Sequence, residues 1–228
     1  MPCEKKLWPE PSRDDTFSIE RSLHNQGYTL VAGADEVGRG PLAGPVVAAC
    51  VVLPADCDFK QFHDSKVLSA PVRERLAAEL DKIGAQIGVG LVSPAEIDRV
   101  NIHQASLLAM KMALESLPCP PDYLLVDGNF PVPVNLPQQT LVKGESRSAS
   151  IAAASIVAKV KRDALMEQYH QQYPEYNFHK HKGYATAEHL KFIKRFGPCA
   201  IHRRSYKPVR DCFVQEHVQQ QTLLGKKG

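Results

Sequence analysis

Along this chain the apolar positions switch between a helical and an alternating period, and the switches mark its elements. Thr16 to Gln26 places Ile19 and Leu23 one turn apart before Gly27, the spacing of a short amphipathic helix. Leu30 and Val31, followed by Ala32, Gly33 and Ala34, read as a strand whose small residues let neighbouring backbone come close. Pro45 to Leu53 is almost wholly apolar and rich in valine, as in a strand buried on both faces. After a loop carrying Asp64-Ser65-Lys66, Ser69 stands as the cap of a helix over residues 70–83, with Val72, Leu76, Leu80 and Ile83 inward. Ala85 to Val92 reads as a strand weakened by its glycines.

Ser93-Pro94-Ala95-Glu96 has capping-box spacing with an early proline. His103 to Leu117 predicts a longer helix with Leu107, Leu108, Met110, Ala113, Leu114 and Leu117 on its apolar side. Tyr123 to Asp127 is a short buried strand ending on an acid, and Thr140 to Val142 is another. Residues 149–172 predict the longest helix, alanine- and isoleucine-rich all round in its first half and ended by Pro174. A loop over 178–184 and a short helix over 186–196 follow. Strands alternating with helices predict an α/β fold, and the early consecutive strands a mixed sheet. The expected partition is an N-terminal extension over residues 1–27, partly flexible, one domain over 28–210 with a C-terminal helical extension, and a flexible tail over 211–228.

Composition narrows the class. The 228 residues suffice for a substantial core, and 43% hydrophobic with 23% charged residues is ordinary for a soluble globular chain. No apolar run reaches the length of a membrane span and the N-terminus lacks the apolar core of a signal peptide, so a cytoplasmic location away from membranes is expected. The six cysteines include no Cys-x-x-Cys pair and are expected to be reduced. Net charge is only +3, but residues 143–210 carry fourteen Lys and Arg against five Asp and Glu, while the rest carries fourteen against twenty. That asymmetry predicts that the C-terminal part meets a polyanion.

Asp35, Glu36 and Asp127 each follow an apolar strand, at points where strand is expected to give way to loop, and Glu145 lies just beyond another. Carboxylates converging at such ends need a compensating charge, and all-oxygen ligands suit Mg²⁺ or Mn²⁺ and argue against zinc. Four of them can hold one or two ions, one activating water and one stabilising the leaving oxygen of a phosphodiester. Gly38-Arg39-Gly40 brings backbone amides and an arginine to a phosphate or sugar. A dinucleotide site would need a third glycine that this stretch lacks. A purely binding module would leave the acids unexplained, because anions in a phosphate-binding groove weaken binding unless metals neutralise them.

The stretches Asp35-Glu36-Val37-Gly38-Arg39-Gly40-Pro41, Asp64-Ser65-Lys66, Asp127-Gly128-Asn129, Lys143-Gly144 with an acid at 145, Ser150 to Val160, Arg162-Asp163 and His181-Lys182-Gly183-Tyr184 together resemble bacterial ribonuclease HII over roughly residues 28–208. The resemblance implies a ribonuclease H-like mixed β-sheet flanked by helices, with residues 28–210 as the catalytic domain. It implies cleavage of RNA paired with DNA and incision at single ribonucleotides embedded in duplex DNA, leaving 3′-hydroxyl and 5′-phosphate ends. In that family Asp35, Glu36 and Asp127 would be metal ligands. The fourth acid is usually an aspartate; here it is Glu145, whose extra methylene favours a water-mediated contact. Gly38, Arg39 and Gly40 would meet the 2′-hydroxyl that separates RNA from DNA. Tyr184 would stack on the sugar at the junction, although by itself it reads as a half-buried packing tyrosine. Lys66, Lys143, Lys182, Arg203 and Arg204 are expected phosphate contacts. His179 and His181 are expected as polar surface or phosphate neighbours, and Asp163 as a helix-surface acid paired with a nearby base such as Lys159. Nothing demands a partner protein, so a monomer is expected.

Overall fold

The computed structural model describes residues 15–62 and 68–213. Among the described residues five strands form one sheet: β1 (Val31–Val37), β2 (Val46–Val52), β3 (Gln86–Val92), β4 (Tyr123–Asp127) and β5 (Gln138–Leu141), in the order β3-β2-β1-β4-β5. β1, β2 and β3 pair antiparallel, whereas β4 and β5 add in parallel, so the sheet is mixed as expected. The helices are α1 (Ser18–Asn25), α2 (Ala70–Lys82), α3 (Pro94–Val100), α4 (Ile102–Glu115), α5 (Ala149–Gln172), α6 (Phe178–His181) and α7 (Ala187–Phe196), with helical residues again over 207–213.

β2 shows why the domain has three layers. Successive side chains of a strand point to opposite faces. Val46, Ala48, Cys50 and Val52 pack with Ala105, Ala109 and Ala113 of α4, while Ala49 and Val51 pack with Ala152, Ala153 and Ile156 of α5. Each seam depends on glycine. A Cβ on Gly88 or Gly90 would lie 2.0 Å from the Ala113 carbonyl oxygen or 2.1 Å from that of Ala109. These glycines therefore admit α4 onto β3. The buried stripe of α4 is accordingly Ala105, Ala109, Met110, Ala113 and Leu114; Leu107 and Leu108, expected inward, are only half-buried. Leucine is too bulky for the line of closest approach.

Other local expectations meet mixed outcomes. Ser93 Oγ accepts from the Glu96 N–H at 3.2 Å, whereas Ser69 precedes α2 without a side-chain cap bond. The expected 178–184 loop begins instead with the short helix α6. Helix α1 packs Ile19 and Leu23 against Val31, Leu125, Leu141 and Ile151, and its buried Glu20 accepts from the Ser148 hydroxyl at 2.6 Å and the Ser150 N–H at 3.0 Å. A carboxylate at the start of α5 meets the positive end of that helix. Cys50, Cys57, Cys119, Cys199 and Cys212 are unbridged.

Candidate active site

β1 does not end before its acids, as expected from sequence, but runs through them to Val37, pairing Asp35 with Ala49 and Glu36 with Ala48 of β2. The ladder holds their backbone rigidly, and the small partners leave room beside them. Gly33, two residues earlier on the face of Asp35, lets α5 descend: a Cβ there would lie 2.2 Å from the Ser150 carbonyl carbon and 2.3 Å from the Ile151 nitrogen. That approach brings Ser155, one turn further along α5, to the acids. Its hydroxyl bonds to Asp35 and lies 3.3 Å from Glu145 Oε2.

Asp127 closes β4, next to β1, and its Oδ1 accepts from the Gly144 N–H at 2.6 Å. Lys143 makes the turn with left-handed backbone (φ 55°, ψ 45°), and the 3₁₀ turn Gly144–Ser146 then buries Glu145 to 7% exposure. Asp35 is 6% exposed. Burial first, then the charges of Glu36 and Asp127, drives its carboxyl well above the usual range. Burial also raises Glu36, although Arg39, 3.1 Å away, pulls in the opposite direction.

Among the described residues, no three His, Cys, Asp or Glu side chains stand close enough to form a ready metal cage. The expected cluster is instead a set of converging acids, each tied to its own donor: Glu36 to Arg39, Asp127 to Gly144, Glu145 to Ser155. The donor set is all oxygen, and the buried Asp35 carboxyl is pushed up by burial and by the acids around it, so the residues fit a hard divalent cation.

Asp35, Glu36, Arg39, Asp127 and Tyr184 border one cleft of about 500 Å³. Tyr184 is 44% exposed, and the point where a Gly40 side chain would begin lies 3.8 Å from its ring. Lys143 is exposed; Lys182 turns its ammonium to Glu167 at 3.7 Å; Lys66 lies outside the described residues. Arg73, Ser155 and Lys159 also border the cleft and were missed as site residues from sequence alone, though Ser155 among alanines was a signal. Lys159 does pair with Asp163, at 2.6 Å, which also faces Arg73 at 3.6 Å.

Two expectations fail because the side chains are inside. Arg203 is fully buried: it donates to the carbonyls of Gly38 at 2.6 Å, Arg39 at 3.0 Å and Gly44 at 2.9 Å, so it builds the glycine loop and is not placed to meet phosphate. His181, expected on the surface, is buried against the Tyr176 carbonyl at 2.7 Å. Arg162, equally buried, donates to the carbonyls of Pro45, Ala43 and Lys182 at 3.0–3.2 Å. Burial, then the nearby Arg203 charge, lowers Arg162 to about 10, still cationic at neutral pH. Arg162, through the Ala43, Pro45 and Lys182 carbonyls, therefore fastens residues 43–45 to the segment carrying Tyr184, while Arg203, which also donates to the Tyr206 hydroxyl at 3.0 Å, holds residues 38–44. The segment after Gly38 opens no helix, since β1 turns back into antiparallel β2, which removes the dinucleotide reading.

Known proteins bear on this geometry. The family model described as Ribonuclease HII matches residues 32–209. A curated protein named Ribonuclease HII from Desulfotalea psychrophila is 58% identical over 200 residues, covering 86% of this chain and 89% of the relative. Its namesake from Syntrophotalea carbinolica is 52% identical, covering 88% and 97%. Among solved structures, ribonuclease H2 from Pyrococcus horikoshii superposes with a TM-score of 0.69 at 28% identity, covering 81% of this chain and 97% of that one. The Mn²⁺ complex of Bst-RNase HIII, at 19% identity and a TM-score of 0.64 over 84% and 71%, shares the fold.

Proposed function

The chain belongs to the ribonuclease HII family, and on that premise we propose that its four converging carboxylates carry the family's reaction. The protein is a metal-dependent endonuclease that hydrolyses the RNA strand of RNA/DNA hybrids and incises at single ribonucleotides embedded in duplex DNA. Asp35, Glu36 and Asp127 hold the cation, Mg²⁺ or Mn²⁺ in one or two positions, and Glu145 reaches it less directly from its buried turn. A divalent ion held by these residues would generate a nucleophile from water near neutral pH and offset charge on the leaving oxygen; the cleavage would leave 3′-hydroxyl and 5′-phosphate ends.

The chain's own groups do the positioning. Ser155 bonds to Asp35 and Glu145 and so sets the spacing between acids from two elements. Gly38, Arg39 and Gly40 present backbone and a guanidinium to the ribose and phosphate beside the scissile bond. Tyr184 stacks on the next sugar, where a 2′-hydroxyl would crowd its ring. Lys66, Lys143 and Lys182 contact phosphates and position the duplex without reading sequence.

The observation that carries this reading is the buried Asp35 carboxyl, whose ordinary charge is opposed by burial and by Glu36, Asp127 and Glu145. No helix among the described residues is long and apolar enough to cross a membrane. A nucleic-acid substrate supports a cytoplasmic location, and in this reading residues 28–210 form the catalytic domain of a monomer. The test is a duplex with one embedded ribonucleotide, incubated with and without Mg²⁺, with products mapped to the nucleotide. Incision at the ribonucleotide only with the cation is expected. An intact duplex, or equal cleavage after chelation, refutes the proposal.

A further inference from the structure

Beneath Tyr184 lies a buried group that the reaction as described does not use: His181, His189 and His202. The rings of His181 and His189 stack at 4.3 Å, and Nε2 of His189 lies 3.0 Å from Nε2 of His202. Their partners fix every tautomer. His189 Nδ1 is 2.9 Å from the Tyr184 carbonyl oxygen, which only accepts, so Nδ1 carries the proton and Nε2 is an acceptor. His202 must then donate from Nε2, which leaves its Nδ1 to accept from the Cys199 N–H at 2.9 Å. The donations run one way, from Cys199 through His202 and His189 to the Tyr184 carbonyl. Beside them, His181 Nε2 donates to the Tyr176 carbonyl, and its Nδ1 accepts from the Gly183 N–H at 3.2 Å.

This arrangement suits neutral rings. Burial lowers His189 to about 4 and His202 to about 3. It does not suit a metal, because the acceptor nitrogen of each ring already receives a proton from a neighbour. The output of the chain is the backbone at Tyr184, whose carbonyl also accepts from the Thr186 N–H at 2.8 Å. Held at both lone pairs, that carbonyl fixes the peptide from which the exposed Tyr184 ring enters the cleft beside Gly40.

We propose that His189, oriented by His202, is a positioning residue for the reading of the ribonucleotide junction, acting through Tyr184. This rests on the reading of Tyr184 as the residue that meets the junction sugar. The discrimination is thus built from a relay of neutral imidazoles lying outside the cleft.

The experiment compares kcat/KM on a duplex with one embedded ribonucleotide and on a long RNA/DNA hybrid. His189→Ala should lose about tenfold on the embedded ribonucleotide, the worth of one buried hydrogen bond, and much less on the hybrid. His189→Asn, whose amide nitrogen can take the place of Nδ1, should recover most of that loss. In a Tyr184→Ala background, His189→Ala should add nothing. Equal losses on both substrates, no recovery with Asn, or additive losses in the double variant overturn the proposal while leaving the Tyr184 reading intact. Tyr184→Ala with no effect on either substrate overturns the Tyr184 reading itself. If His189→Ala does not fold, His202 variants carry the test: Gln keeps a donor near Nε2 and Asn does not. His202→Asn should then show the larger selective loss, and the reverse order or equal losses refute the relay.

Discussion

Gly33→Ala tests whether close packing sets the geometry of the acids. In a strand the change would ordinarily help, by roughly 0.5–1 kcal/mol, because glycine loses more freedom on folding. Here the new Cβ would lie 2.2 Å from the Ser150 carbonyl carbon, whereas ordinary contact begins near 3.4 Å. The obstacle is the backbone of α5, which cannot rotate aside. The helix must therefore retreat by about 1.2 Å, the difference between those two distances. Overpacking of this kind costs about 3 kcal/mol, the upper part of its usual range. After the strand gain, a net loss of about 2 kcal/mol remains, a fall in Tm of about 4–8 °C for a chain of this size. The same retreat carries Ser155 away from Asp35 and Glu145, and an ångström of misplacement costs up to ~100-fold in turnover. Gly90→Ala is the control: its Cβ would meet α4 at 2.1 Å, on a seam that does not border the cleft. Thermal melts and cleavage at 20 °C should show both variants destabilised and only Gly33→Ala slow. Equal turnover in the two folded variants would refute the link between the α5 seam and catalysis.

Other outcomes follow from the same contacts. Asp35→Asn removes a buried charge crowded by Glu36, Asp127 and Glu145, so it should abolish cleavage yet raise Tm by about 2–4 °C, as for a stabilising change of about 1 kcal/mol; a lower Tm in melts would contradict this. Arg203→Lys keeps the charge but cannot span the Gly38, Arg39 and Gly44 carbonyls, and should cost about 3 kcal/mol in urea titrations while hydrogen exchange speeds up over residues 38–44. His189 and His202 have folded values of about 4 and about 3, below their ordinary 6.5. The unfolded chain therefore binds protons first, and stability present above pH 6.5 is lost as pH falls toward 4. Because raised carboxyls such as Asp35 act in the opposite sense, the check is the difference between wild type and His202→Gln, which should shrink between pH 7.5 and 5.

Much of this was legible in the residues because local pattern and tertiary packing agree. The valine run of β2 and the alanine-rich first half of α5 are buried as their composition requires. Asp127 was legible as an acid at a strand end for the same reason. Asp35 and Glu36 were misjudged as strand-ending, since propensity disfavours adjacent acids in a strand and cannot see the Ala48 and Ala49 partners that make room. Arg203 and Arg162 were illegible as interior groups. A sequence shows an arginine's charge but not the carbonyls that converge on it from residues more than a hundred positions away. The histidine relay was hidden likewise, because tautomers follow from partners and not from spacing.

The most direct test of the carboxylate site is Mn²⁺ binding, followed by electron paramagnetic resonance, to the wild-type protein and to Asp35→Asn and Asp127→Asn. Binding by the wild type that each substitution weakens by tenfold or more, with both variants still folded, is the predicted result. Unchanged Mn²⁺ binding in both variants would contradict a cation site at these acids, whatever activity remained.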